Sequence, residues 1–324
     1  MTSRIIDAHS HIGVDSFYPF EGTLQEYVAN AKQMGITDSI LMPVTSPAIY
    51  YGNHKNSQLL WQFDSSTKSF SFRSMGVKSC IVNSRFKIHP YAVYNDIIKN
   101  AVSSFSTDIN LHFIPLVHPL LDSLRYLEYI LNNHPKAIKI HGIAAGIFPS
   151  QVPDDFWIML KDYNIPVIVH TDFNSSDSTS PISILRNENN AYSWVKILEK
   201  NGIKGYITHG ARLNKKSIEI INSSGLFVVG IGPDSLIALE PNRLEATGDY
   251  LKQLFEEVSI NTLCFDLDYP WNVNKPISML KNPNSDLDFK ALMRLQKLGL
   301  SNDEYQKVVF INAYNFYGLE KRCC

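Results

Sequence analysis

The sequence predicts an α/β fold: a closed (β/α)8, TIM-type barrel with long insertions after its second and fifth strands. Eight short apolar runs alternate with helical stretches along 324 residues, without a break in composition. Such alternation implies a parallel sheet, and eight units in this length suit a closed barrel. Neither a GxGxxG turn nor a Walker loop supports the rival, an open doubly wound sheet. Histidines also crowd the runs. Of the ten in the chain, His9, His11, His112, His118, His141, His170 and His209 fall there, and the carboxyl ends of barrel strands are where an active site forms.

The elements follow in order. The first run, residues 5–11, ends in His9 and His11, which strand geometry projects from one face. Two neutral imidazoles presented together suit a divalent metal such as zinc. Thr23 is a candidate N-cap for a helix over 24–34, ended by Gly35. Residues 39–44 form the second strand. The stretch 45–89 reads as a lid or insertion carrying Tyr50, Tyr51, His54, Trp61, Arg73 and Arg85. Its aromatics, with Tyr18 and Phe20, either wall the site or pack the lid on the barrel; the two arginines read as surface charge. A helix over 91–105 leads to strand 110–117, and Asp122 is a candidate cap for a helix to 132. Strand 137–142 precedes helix 154–163. Strand 166–171 precedes a second long loop, 172–190, and helix 191–200. Strand 204–208, helix 214–222, strand 226–230, helix 247–258 and strand 262–268 complete the series. Helices over about 287–298 and 302–317 close a single 1–324 domain.

Alternation places the polar residues of these strands inside. On the eighth strand Leu263, Phe265 and Leu267 share the outer face, while Asp266 and Asp268 point inward. On the fourth, Ile138 and Ile140 face out and Lys139 and His141 face in. Buried polar groups need partners or a metal, and convergent His and Asp supply them. Asp7 reads as organising the barrel floor and Cys264 as core. Lys139, His141, His118 and Arg212 are candidate substrate-binding residues. For His118 and His141 a satisfied strand-end histidine is the favoured alternative; for Arg212, a solvent-facing arginine stands equal to a guanidinium paired with a substrate carboxylate.

Composition narrows the function. With 44% hydrophobic and 19% charged residues and a net charge of −1, no basic block points to nucleic acid or to an anionic membrane. No leader or membrane-length apolar run is read. Cys80, Cys264, Cys323 and Cys324 lack metal-site or CxxC spacing, and the terminal pair lacks a prenylation pattern. The expectation is a cytoplasmic protein with a small-molecule substrate, no nucleic-acid or membrane partner, and a possible homodimer.

Several segments together resemble the amidohydrolase superfamily, most closely its branch containing aminocarboxymuconate-semialdehyde decarboxylase. They are IIDAHSHIG, AIKIHG, IPVIVHTD, GYITHGAR and CFDLDYPW, with FINAYNFYGLE similar to that family's closing helix. The resemblance implies a metal held by His9, His11, His170 and Asp268: one Zn2+ per chain, with Mn2+ or another divalent ion an alternative. It implies His209 beside an activated water, and Asp268 as general base and then acid. This chain has Asp266-Leu267-Asp268 where the family often has Gly-Ser-Asp. The extra carboxylate is expected to pair with Lys139, and a carboxylated Lys139 bridging two metals is the less favoured alternative.

These parts suit a metal-dependent hydrolase acting on a small carboxylated or cyclic amide, lactone or ester. The alternatives are a non-oxidative decarboxylase on the same site and a non-catalytic metal-binding barrel. A nuclease of the TatD type would place a glutamate on the fourth strand, where Lys139-Ile140-His141 stands.

Overall fold

Two sets of hydrogen bonds turn the predicted strands into a closed ring. The computed structural model describes residues 4–14, 21–44, 61–64, 69–72, 89, 91–172, 181–232, 244–270, 292 and 295–320. Its barrel strands are β1 (Ile6–Val14), β2 (Asp38–Pro43), β3 (Asn110–Phe113), β4 (Ile138–Ile140), β5 (Val167–Val169), β6 (Gly205–Ile207), β7 (Phe227–Gly230) and β8 (Leu263–Cys264). Parallel ladders join β1 to β2 to β3, and β4 through to β8. The first seam, β3 to β4, is thinned by Pro115, which has no N–H to give. It is held by Lys139 N–H on Pro115 O at 2.9 Å and Val117 N–H on Lys139 O at 3.0 Å. The second seam, β8 to β1, is held by Ala8 N–H on Phe265 O (3.0 Å), Asp268 N–H on His9 O (2.9 Å) and His11 N–H on Tyr269 O (2.7 Å).

The two-residue period sorts the side chains as expected. Ile6, Ala8, Ile40, Met42, Ile114, Ile168, Tyr206, Val228 and Cys264 form an inner cluster, which Ala313 and Tyr317 of the closing helix cover. Ile138, Ile140, Val167, Val169, Leu263, Phe265 and Leu267 face out and pack with Trp157, Trp194 and Leu198 from the surrounding helices. Each such aliphatic side chain, fully buried, contributes about 1.5–3 kcal/mol.

Helix ends follow the sequence signals with one exception. Thr23 caps Leu24–Gln33, accepting from Glu26 N–H at 3.2 Å. Asn190, Asn214 and Ser301 cap later helices in the same way. Ser123, not Asp122, caps Leu124–Leu131, because Asp122 instead accepts from His118 N–H at 2.7 Å. The closing helix contains a π-turn, Lys307–Ile311. There Val308 O accepts the Phe265 N–H at 2.9 Å, and Asn312 Nδ2 donates to Ile260 O and Leu263 O. This diversion of backbone bonds explains why β8 is two residues long.

Two long insertions hold more regular structure than their composition suggests. Residues 172–190 include the helix Pro181–Glu188; a proline is well placed at the first helical position, a signal the surrounding Ser and Asn obscured. Residues 45–89 include an antiparallel hairpin, Trp61–Asp64 with Ser69–Phe72. Tyr18, Phe20, Tyr50, Tyr51, His54, Arg73, Cys80, Arg85, Cys323, Cys324, most of the 287–298 helix and the Trp61 side chain lie outside the described residues. Among the described residues no helix is long and apolar enough to cross a membrane.

Asp7 staples the second seam. Its Oδ1 accepts from Leu267 N–H at 3.0 Å, and its Oδ2 from Ser10 Oγ and Tyr27 OH, both at 2.6 Å. Oδ1 also takes the His9 N–H at 3.4 Å, and removing this buried acceptor deprives all four donors of it. Asp7→Ala is therefore expected to lower stability by about 2–4 kcal/mol in urea unfolding; a loss under about 1 kcal/mol would contradict the staple.

Candidate metal centre

A bulge in β1 aims the first pair of ligands. Asp7 pairs with Ser39 and Ser10 with Leu41, so Ala8 and His9 together face the single residue Ile40. Bulges of this kind bend a strand and re-aim its side chains. Ile6 and Ala8 thus lie in the inner cluster, His9 and His11 also turn inward, and Asp7 is freed to reach Tyr27. Unbroken alternation would put Asp7 on the face of the histidines. The signal was present: Ile6 and Ala8 need the same interior that His9 and His11 need, and no strict two-residue period supplies both.

The second seam brings Asp268 onto this pair. Asp268 has φ +49°, a left-handed backbone that turns its carboxyl back over the barrel mouth. Its Oδ1 lies 3.3 Å from His9 Nδ1 and 3.3 Å from His11 Nε2. One donor atom from each of the three residues lies within 4.8 Å of the others, and all three residues are buried. His9 Nδ1 is buried without a hydrogen bond. The atoms are near neighbours, yet at His9 they do not bond to each other, and three potential ligand atoms converge. A tetrahedral ion with ligand bonds of about 2.0–2.1 Å separates its ligand atoms by about 3.3–3.4 Å. The donor set therefore fits a divalent ion. Burial alone would raise the Asp268 carboxyl, but the His11 and His9 rings outweigh it and hold it well below the usual carboxylate range. His11 is steered by Pro43 O, 3.1 Å from its Nδ1, the outer contact a ligating imidazole needs.

Lys139 and Asp266 do not form the expected pair. Lys139 Nζ lies 2.8 Å from His9 Nε2. Asp266 accepts from Tyr206 OH at 2.8 Å and from Gly232 N–H. The barrel wall offers each group a nearer partner than the other. Burial pulls the Lys139 amine down to about 7, against the opposing charges of Asp268 and Asp266. A neutral amine can accept the His9 Nε2–H and leave Nδ1 bare toward Asp268; an ammonium can only donate.

His170, expected as a fourth ligand, stands outside the three-residue cluster. Its Nδ1 is 3.1 Å from His209 Nε2, and its ring stacks on His141 with centroids 4.0 Å apart. His209 is nearer the cluster, its Nδ1 3.9 Å from Asp268 Oδ2. Burial holds His141, His170 and His209 well below the usual imidazole range, with further depression from Lys139, His141 and Arg212 respectively. His209 also opens a left-handed turn: φ is +58°, +62°, +50°, +52° and +48° from His209 to Leu213. Non-glycine residues in this region cost roughly 1–2 kcal/mol each, and they persist where surrounding contacts hold them. Here Tyr250 OH donates to His209 O at 3.2 Å and Arg212 Nε to Thr171 O at 3.2 Å. The turn sets Arg212 beside His209 and His170 on the rim.

The other candidates have backbone duties. His141 Nδ1 accepts Ala144 N–H at 3.2 Å, capping the short helix Gly142–Ala145. His118 is fully buried; its Nδ1 accepts from Leu120 and Leu121 N–H, and its Nε2 faces Ala145 O at 3.1 Å. His112 lies 3.7 Å from Asp38 at the opposite end of the barrel. A pair missed from the sequence is His89 with Asp122, at 3.2 Å; the residues are far apart in the chain and no local pattern joins them.

Burial pulls His118 down to about 4 from 6.5, against its bonds to Ala145 and its own backbone. The neutral form is the folded form, so its stability contribution is complete above pH 6.5 and is lost as pH falls toward 4. The loss is on the order of 3 kcal/mol. Chelated wild type is expected to lose this much more than His118→Gln between pH 6.5 and 4 in denaturant titrations; parallel pH curves would contradict it.

No family model and no curated protein matches the chain. Solved structures do. It is similar to a probable 2-pyrone-4,6-dicarboxylic acid hydrolase from Acinetobacter baumannii (12% identity, 98% of this chain and 100% of that one, TM-score 0.57). It is similar to 5-carboxyvanillate decarboxylase from Sphingomonas paucimobilis (10% identity, 98% and 100%, TM-score 0.58). A TatD homologue from Escherichia coli K12 matches as well (16% identity, 99% and 100%, TM-score 0.56). At these identities the likeness concerns the fold, and the chain has the barrel fold that these proteins share.

Proposed function

We propose that this chain is an enzyme of the amidohydrolase superfamily, a metal-dependent hydrolase of a small carboxylated or cyclic amide, lactone or ester. The observation that carries the reading is the convergence of His9, His11 and Asp268, with a bare, buried His9 Nδ1. The sequence resemblance and the two neighbours whose names refer to carboxylated compounds support it.

His9, His11 and Asp268 would hold the ion, zinc by the donor types, with His170 the further ligand that the resemblance implies. When bound, such an ion lowers the pKa of water from ~15.7 to ~7 and polarises an oxygen as a Lewis acid. Asp268 turns Oδ1 to both imidazoles and keeps Oδ2 toward His209. Asp268 thus takes the proton of an attacking water and returns it to the leaving group. His209, beside it on a rigid turn, stabilises the oxygen that gains charge. Arg212 offers its guanidinium to a substrate carboxylate. A second reading, decarboxylation of an aromatic or unsaturated acid, uses the same groups and is favoured by the neighbouring decarboxylase fold.

Elemental analysis of protein purified without added metal is expected to find about one zinc per chain, less in Asp268→Asn. Turnover of carboxylated lactones, amides or aromatic acids should fall by ~10³ or more in that variant. Acid release without CO2 marks hydrolysis, and CO2 release marks the decarboxylase. Two ions per chain would make Lys139 a carboxylated bridge. Wild type without divalent metal, and indifferent to chelators, would overturn the proposal.

A further inference from the structure

Beneath the ligand cluster lies a buried carboxyl that touches no candidate ligand directly. Asp266 is 1% exposed, and it is not among the three groups that converge. Burying a carboxyl is costly unless its oxygens are bonded, and both are. Oδ2 accepts from Tyr206 OH at 2.8 Å, and Oδ1 accepts from Gly232 N–H. The two partners lead to opposite sides of the site.

Tyr206 leads to His9. Its ring lies over the His9 ring, with centroids 6.0 Å apart and planes 18° from parallel. Gly232 leads to His209. It has φ +57°, and a Cβ built on it would stand 3.4 Å from both Cα and Nδ1 of His209. The segment 230–232 is a strap pinned between Asp266 and His209. Gly230 shows how tightly: a Cβ there would collide with Asp266 Oδ2 and crowd Tyr206 OH.

We infer that Asp266 is a positioning residue that braces His209 through the 230–232 strap and His9 through Tyr206. This deepens the metal-site reading and rests on it for the His9 branch alone; the His209 branch is a property of the polypeptide. Partners of ligating imidazoles are worth roughly 10–100-fold in metal affinity.

The test combines zinc titration with imidazole NMR of the chelated protein. Asp266→Asn keeps an oxygen for Gly232 N–H and an amide donor for the Tyr206 oxygen, so its zinc affinity and His209 resonances should stay close to wild type. Asp266→Ala strands both partners; zinc affinity should fall about 10–100-fold, and the His209 resonances should move while those of His118 do not. Tyr206→Phe cuts the His9 branch alone, so zinc should weaken with His209 unmoved. If Asp266→Ala folds with wild-type His209 resonances and zinc affinity, the inference is wrong. If Asp266→Ala does not fold, Tyr206→Phe decides: weakened zinc with His209 unmoved supports the inference, and wild-type zinc affinity contradicts it. Wild type that takes up no zinc defeats the metal reading, while the His209 resonances of Asp266→Ala, or of Asp266→Ser (too short to reach Gly232 N–H) where the alanine variant does not fold, still decide the brace: moved resonances support it and wild-type resonances contradict it.

Discussion

The seam between β8 and β1 is the constraint on which the site depends. His9, His11 and Asp268 lie at opposite ends of the chain, and only barrel closure makes them neighbours. Closure here is specific. Three backbone bonds set the register, and Asp7, reaching across to Leu267 N–H, locks it. A slip by one residue would turn Asp268 outward and Leu267 in. The π-turn in the closing helix serves the same seam from below, since Val308 takes the Phe265 N–H that β8 would otherwise offer elsewhere. Fold stability and site assembly are therefore one event in this molecule.

Burial then decides the chemistry. Most of the imidazoles around the mouth are held neutral by desolvation rather than by a particular partner. Neutral rings offer lone pairs, and the carboxyl held ionised against them is Asp268. A cluster of lone pairs around a single carboxylate is suited to a cation and, once that cation is present, to an anionic substrate. The left-handed turn from His209 to Leu213 adds rigidity at the point where His209 must hold its place, at a conformational cost the surrounding hydrogen bonds offset.

The barrel was legible because a two-residue period survives in β4 and along β8 and the residues after it, where Ile138, Ile140, Leu263, Phe265 and Leu267 share the outer face. His9, His11 and Asp268 were legible because the histidines stand two apart at the end of an apolar run and Asp268 follows the last one. What escaped depended on tertiary choice. The β1 bulge needs two rows of side chains to compete for one interior. Lys139 and Asp266 look like natural partners from charge alone, yet Tyr206 and Gly232 lie closer to Asp266, and His9 lies closer to Lys139. His170 was placed by resemblance, and its contacts with His141 and His209 follow from how neighbouring strands lean together. The helix Pro181–Glu188 was hidden by polar composition, although its proline was in the right place.

In the proposed site His9, His11 and Asp268 form a nitrogen and oxygen cradle for a divalent ion. The measurement to make is X-ray absorption at the zinc edge of protein loaded with one equivalent. A first shell of nitrogen and oxygen at about 2.0–2.1 Å, with imidazole outer-shell scattering that weakens in His11→Ala, is the predicted result. A shell containing sulfur at about 2.3 Å, or a spectrum unchanged in His11→Ala, would place the ion elsewhere and rule out this cradle.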